Sequence, residues 1–97
     1  SLSNTVIGKN TYLDNQIHVA HNVKIGENCI IAGQVGFAGS SIIGDNVMIG
    51  TGAKVLGPIK IGDNVKIGAN AVVLNDLPNN STAVGVPAKI IKHENIN

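Results

Sequence analysis

At 97 residues the chain is one domain's worth, and 43% hydrophobic content with only 2% aromatic means that any core must be filled by small aliphatic side chains. Seven basic against six acidic residues, spread along the chain, leave a net charge of +1 and no basic patch interleaved with aromatics, so nucleic acid is not an expected partner. A single cysteine, Cys29, allows no internal disulfide, no apolar stretch approaches membrane-spanning length, and the N-terminus lacks a signal-peptide pattern; a reducing cytoplasmic setting without membrane insertion is the expectation.

From Ile7 onward every sixth residue is apolar: Ile7, Leu13, Val19, Ile25, Ile31, Phe37, Ile43, Ile49, Val55, Ile61, Ile67 and Val73. At 43% hydrophobic content such a run has a chance of roughly 4 in 100,000, so the period belongs to the fold. The residue after each is usually glycine or alanine, and the residue four on is mostly small or β-branched, as at Thr11, Val23, Cys29, Val35, Ser41, Val47, Ala53 and Val65. Between them fall Asn10, Asn22, Asn28, Asn46, Asn64 and Asn70. Asparagine and glycine tolerate left-handed backbone angles, so each hexad reads as a short strand ending in a tight corner. Period six fits neither an amphipathic helix nor a long alternating strand.

A strand this short cannot bury its apolar face alone, so the hexads must coil and stack into a solenoid with the aliphatics inside. Cys29 then reads as a core residue rather than a nucleophile. With three hexads to the turn, each residue lies beneath the one eighteen positions later, and residues 7 to 78 supply four coils. A short chain without disulfides also gains from association with other copies. After Leu77 the period breaks at Pro78-Asn79-Asn80-Ser81-Thr82, and Ala83 to Lys92 read as a turn and an extended segment that caps the last coil. His93 to Asn97 are polar and expected to fray. The organisation is thus a repeat region over 1–78 and a capping tail over 79–97.

Histidine is the side chain whose ordinary pKa lies near neutrality, which makes it the natural general base. His18 and His21 fall within the coils, and His21 occupies an outward corner. Its column, stepping by eighteen, reads Ser3, His21, Gly39, Gly57, Asn75. Two glycines beyond the histidine leave a groove along that edge with unobstructed backbone N–H groups. A base at His21 would take a proton from an amine or hydroxyl while the Gly39 N–H, one coil on, stabilises an oxyanion, an arrangement suited to acyl transfer. An ordinary exposed corner whose glycines merely fit tight turns is the alternative, and the column alone leaves both open.

The repeat resembles that of the hexapeptide-repeat acyltransferases, which implies an all-β, left-handed parallel β-helix of about four to five triangular coils, associating as a homotrimer. His18-Val19-Ala20-His21-Asn22, followed by Ala32-Gly33-Gln34-Val35-Gly36-Phe37-Ala38-Gly39-Ser40, resembles the active-site stretch of the lipid A pathway N-acyltransferases. That likeness implies catalytic roles for His21, Gly39 and Asn22, with Asp14, Asn15 and His18 at the acceptor. Val47-Met48-Ile49-Gly50-Thr51-Gly52-Ala53-Lys54-Val55-Leu56-Gly57-Pro58, with the tail Gly85-Val86-Pro87-Ala88-Lys89, is similar to serine acetyltransferases and sugar O-acetyltransferases. Nucleotide-sugar N-acetyltransferases combine both features. The second likeness implies acetyl-CoA, or another acyl thioester, as a co-substrate rather than a permanently bound cofactor, with donor contacts at Gly39, Ala53, Gly57, Ala69 and Lys89.

Departures shape the expectation further. Pro58 stands where the lipid A enzymes commonly carry a second histidine, and Ser40 and Ser41 stand where serine acetyltransferases carry one. The sugar-nucleotide families place an acceptor-binding domain ahead of the helix, and this stretch begins almost at the first coil; a fragment of a larger enzyme, a minimal enzyme and a helix that lost its N-terminal acceptor domain are the open readings. The expected activity is acetyl-CoA-dependent acetylation of an amine or hydroxyl on a sugar or nucleotide-sugar acceptor, with His21 as base. Carrier-protein-dependent N-acylation in lipid A synthesis is one alternative, and a non-catalytic trimerising module lacking its acceptor-binding domain is the other. No metal is expected, since a third histidine within the coils is missing for the zinc sites of trimeric β-helix carbonic anhydrases.

Overall fold

Ten residues spaced six apart or a multiple of six, Asn10, Gln16, Asn22, Asn28, Gln34, Ser40, Asn46, Gly52, Asn64 and Asn70, adopt positive φ between 57° and 76°. Each turns the chain from one face onto the next after a strand of two residues, so the asparagines do the work expected of them. At Pro58 the ring holds φ negative, and the left-handed angle moves to Gly57, at 97°.

The computed structural model describes residues 4–95. Among them the strands run β1 (Val6–Ile7), β2 (Tyr12–Leu13), β3 (His18–Val19), β4 (Lys24–Ile25), β5 (Ile30–Ile31), β6 (Gly36–Phe37), β7 (Ile42–Ile43), β8 (Met48–Ile49), β9 (Lys54–Val55), β10 (Lys60–Ile61), β11 (Lys66–Ile67) and β12 (Val72–Val73). Two longer strands follow, β13 (Ser81–Val84) and β14 (Lys89–His93). No helix among the described residues is long and apolar enough to cross a membrane.

The strands stack into three faces. The first is β1-β4-β7-β10, the second β2-β5-β8-β11-β13-β14, and the third β3-β6-β9-β12. All pairings are parallel except β13 with β14. Val19 lies opposite Phe37 and Phe37 opposite Val55, a step of eighteen, so three hexads close each coil. The fold is therefore an all-β parallel solenoid of about four turns. Coils are joined by ladders such as His18 N–H to Val35 O at 2.9 Å and Gly36 N–H to Ala53 O at 3.0 Å.

Inside, the two inward positions of each hexad fill a single core. From Val23 to Ala83 its members are at most 6% exposed, whereas Ile7, in the first coil, is 42% exposed because no described coil lies beneath it. Each fully buried valine or isoleucine contributes about 1.5–3 kcal/mol relative to an exposed one, so the second to fourth coils carry most of the stability. Cys29 sits in this core with Sγ 3.1 Å from Gly44 O, and burial pushes its thiol pKa up, which keeps it an unreactive hydrophobe. Ser41 is as deeply buried, and its hydroxyl lies 2.7 Å from Ala38 O and 3.0 Å from Gly57 O.

The expected break after Leu77 lies earlier. Leu77 pairs with Ile61, and Thr82 and Ala83 pair with Lys66 and Ile67, a step of sixteen instead of eighteen. The chain thus omits two residues around Leu74–Asp76, where Asp76 Oδ1 accepts the Lys60 N–H at 2.8 Å, and then resumes the hexad with Leu77, Ser81 and Ala83 inward. Beyond it the tail crosses the end of the third face, Val72 donating to Gly85 O at 3.0 Å and accepting from Ala88 N–H at 2.8 Å. His93 does not fray: it closes β14 opposite Ser81. Ile96 and Asn97 lie outside the described residues.

Candidate active site

The residue two places after each inward aliphatic of a strand sits where one face turns into the next. At the corner between the first and second faces this position holds Glu27, Asp45 and Asp63 in successive coils. Asp45 Oδ1 accepts the Glu27 N–H at 2.8 Å, Asp63 Oδ1 the Asp45 N–H at 2.8 Å, and Asn79 Oδ1 the Asp63 N–H at 2.7 Å. The N–H of each of these three residues is thus taken by a side chain from the coil above.

At the corner between the third and first faces the equivalent position holds His21, Gly39 and Gly57. His21 O accepts the Ser40 N–H at 3.0 Å, which fixes Gly39 over His21, and a Cβ on Gly39 would stand 3.3 Å from that carbonyl. Glycine has no side chain to reach back, so the N–H groups of His21 and Gly39 find no acceptor among the described residues. His21 itself is exposed, and nothing lies within 4 Å of where a Cβ on Gly57 would be. Asn22 turns the corner at φ 62° and donates through Nδ2 to Ser40 Oγ at 3.3 Å. Of the remaining column members, Ser3 lies outside the described residues and Asn75 falls where the register contracts.

Next to this corner the third face carries a trench of about 320 Å³. Gly36 and Ala38 form its floor, with His18 and Ala20 on one side and Lys54 and Leu56 on the other, because His18, Gly36 and Lys54 are register neighbours. The trench runs along β6 toward Gly39.

The other expected contacts stand apart from this corner within one copy of the chain. Asp14 and Asn15 are exposed at the corner between the second and third faces, where Asn15 N–H donates to Asp14 Oδ1 at 2.8 Å. From His21 they are separated by six residues of chain, up to roughly 20 Å when extended. Ala53 is wholly buried in the core. Ala69 borders a second groove, of about 370 Å³, on the second face with Ile30, Met48 and Lys66. Lys89 opens β14, at the outer edge of the second-face sheet. The structure thus brings together His21, Asn22, Gly39, Gly57 and His18.

Lys54 and Gly36 were not singled out in the sequence. A signal existed: in the outward position just before each inward aliphatic, occupied in turn by Val6, Tyr12, His18, Lys24, Ile30, Gly36, Ile42, Met48, Lys54, Lys60, Lys66 and Val72, Gly36 is the one glycine. Among the described residues no group of three or more His, Cys, Asp or Glu could hold a metal ion.

A solvent-facing imidazole with an uncommitted backbone N–H one coil away can deprotonate a nucleophile and hold the oxygen of a carbonyl under attack. Known proteins bear on that chemistry. Residues 4–39 and 40–75 each match the family described as bacterial transferase hexapeptide (six repeats). No curated protein matches the chain. Among solved structures, the UDP-N-acetylglucosamine O-acyltransferase of Moraxella catarrhalis RH4 is similar at TM-score 0.87 and 32% identity, over 89% of this chain and 34% of that one. A maltose O-acetyltransferase from Clostridium difficile 630 is similar at TM-score 0.82 and 32% identity, over 97% of this chain and 61% of that one. The serine acetyltransferase of Brucella abortus strain S19, in complex with coenzyme A, is similar at TM-score 0.81 and 30% identity, over 97% and 42%. The chain spans between about a third and under two thirds of the length of these neighbours, all of which are acyl- or acetyltransferases.

Proposed function

Since the chain belongs to the bacterial transferase hexapeptide family, we propose that it is an acyltransferase that moves an acetyl group from acetyl-CoA to an amine or hydroxyl of a sugar or nucleotide-sugar acceptor. The observation that carries this reading is the juxtaposition of exposed His21 with the uncommitted Gly39 N–H one coil on. The coenzyme A held by a similar serine acetyltransferase supports the donor, and the named substrates of the O-acyltransferase and the maltose O-acetyltransferase support a sugar-like acceptor.

In the proposed reaction the His21 imidazole takes the proton of the acceptor's amine or hydroxyl as its lone pair attacks the thioester carbonyl. The carbonyl π electrons move to oxygen, and the Gly39 N–H donates to that oxyanion. Collapse re-forms the carbonyl, the carbon–sulfur bond breaks, and the thiolate leaves with the proton His21 had taken, as free coenzyme A. No covalent enzyme intermediate is needed. Asn22 acts as a positioning residue, its left-handed turn setting the corner on which His21 stands. Asp14, Asn15 and His18 serve the acceptor, and Gly57, Ala69 and Lys89 the donor.

Those groups lie on different edges of one copy, and the second face leaves Tyr12 59% and Ile30 51% exposed. Uncovered apolar surface of this kind supports association, which the reading takes to be a homotrimer in a reducing cytoplasm. Thiol release from acetyl-CoA, followed with a panel of amino-sugar nucleotides and free sugars, tests the assignment. Wild type is expected to turn over at least one acceptor and His21→Ala to lose about 10²–10⁴-fold in kcat; undiminished activity in His21→Ala rejects His21 as base.

A further inference from the structure

The trench on the third face holds a charged group that the reaction above does not use. Lys54 is half-buried, its stem folded down over Gly36, so that a Cβ at residue 36 would meet Lys54 Cδ at 3.0 Å. Its ammonium donates to Gln34 O at 2.6 Å and to Gly52 O at 2.9 Å. Both acceptors are the carbonyls of left-handed corner residues, with φ of 64° and 76°. Two neutral carbonyls fix the position of the ammonium without cancelling its charge, and they leave one N–H to spare. Beside it the trench is lined by His18 and apolar residues, and no carboxylate is among the lining residues. A cation held in place, partly desolvated and without a counter-ion, is a site for an anion.

The position of that cation says what kind of anion. Lys54 Nζ sits against the corner at Gln34, while the reacting centre lies at the opposite end of β6, by Gly39. Five residues of extended chain separate them, roughly 16 Å. Between the two ends the trench is lined by Ala20, Ala38, Leu56 and the Phe37 backbone strand, which offer little but apolar surface. A ligand that fits must be long, reactive at one end, and negatively charged at the other.

We propose that Lys54 binds a phosphate of an extended co-substrate lying along this trench, with the reacting end of the molecule at His21 and Gly39. The proposal rests on the transferase reading above. Two co-substrates of that reading carry phosphate: the nucleotide of a nucleotide-sugar acceptor and coenzyme A itself. Both present the same chemistry to Lys54.

Calorimetric titration of the purified 97-residue chain with UDP and, separately, with coenzyme A distinguishes them. Wild type is compared with Lys54→Met and with Lys60→Met, a control that removes an exposed lysine from the first face. Lys54→Met is expected to weaken at least one of the two ligands about ten-fold or more, and Lys60→Met neither. Loss of UDP binding alone assigns the site to the acceptor, loss of coenzyme A binding alone to the donor. A second variant, Gly36→Val, keeps the lysine but raises the trench floor, and the same ligand should weaken; thermal melts identify any variant that fails to fold. Ligands that bind Lys54→Met as tightly as wild type, or that do not bind wild type at all, overturn the proposal. Acyl transfer whose KM for both donor and acceptor is unchanged in Lys54→Met, while activity is lost in His21→Ala, would overturn it and leave the transferase reading intact. Phosphate binding that depends on Lys54, without thiol release on any acceptor, would support it and count against the transferase reading.

Discussion

The corner between the first and second faces and the corner between the third and first are built on the same backbone, yet they treat the peptide N–H in opposite ways. In the former, Asp45, Asp63 and Asn79 each reach one coil down and cap a corner N–H at 2.7–2.8 Å. In the latter, Gly39 and Gly57 hold the equivalent positions and cap nothing. The first corner is stabilised by its side chains; the second gives up that stabilisation and keeps backbone donors available. On a solenoid, where every coil repeats the same turn, a reactive edge is made by leaving side chains out as much as by adding His21.

If that contrast is functional, His21→Ala has the largest effect, the 10²–10⁴-fold loss of kcat given above, with little change in melting temperature because the side chain is exposed. Next comes a transplant of one corner into the other. Gly39→Asp should let the new carboxylate accept the His21 N–H as Asp45 accepts that of Glu27, and Gly39 has ordinary backbone angles that aspartate can adopt. The carboxylate would then crowd and repel the oxyanion, so kcat should fall about 10²–10³-fold while the melting temperature holds or rises slightly. A Gly39→Asp variant with normal turnover would remove the oxyanion role from that N–H. The reverse operation is milder: Asp63→Ala strips a cap from the Asp45 N–H and should cost about 0.5–1.5 kcal/mol. That is roughly 4–8 °C in Tm per kcal/mol for a domain of this size, with thiol release unchanged.

Much of the solenoid was legible because its signal is redundant. Twelve successive apolar residues at a six-residue step announced the inward column, and the second inward set, from Val23 to Val65, followed from the same period; from Val23 onward both are buried. Asparagine at the corners was legible for a local reason, its tolerance of positive φ. The contraction at Leu74–Asp76 was missed because a loss of two residues looks like the end of a repeat when the phase is held fixed; Leu77, Ser81 and Ala83 keep the period in a new phase. His93 was read as frayed on polarity alone, although edge strands often carry polar residues. At the site, the column of His21, Gly39 and Gly57 could be placed from spacing, since an eighteen-residue step is arithmetic. The trench could not, because it depends on Lys54 lying down over Gly36, and side-chain direction is not encoded in a period. Handedness also came from family likeness alone, since a hexad reads the same wound either way.

Asn22 gives the finest test of how the two corners differ. Its φ of 62° is one that glycine adopts freely, and its amide makes a single exposed hydrogen bond, 3.3 Å to Ser40 Oγ. Asn22→Gly therefore preserves the turn while deleting the amide, and stability should change by no more than about 0.5 kcal/mol. If Asn22 serves the reaction only by setting the corner beneath His21, kcat also stays within a few-fold of wild type. Asn22→Val, by contrast, asks a β-branched residue to take a left-handed angle, and it should lower both Tm and kcat. A large loss of kcat in Asn22→Gly at unchanged Tm would instead make the amide a participant. The open corner would then owe its chemistry to a second side chain beside His21 as well as to the two glycines.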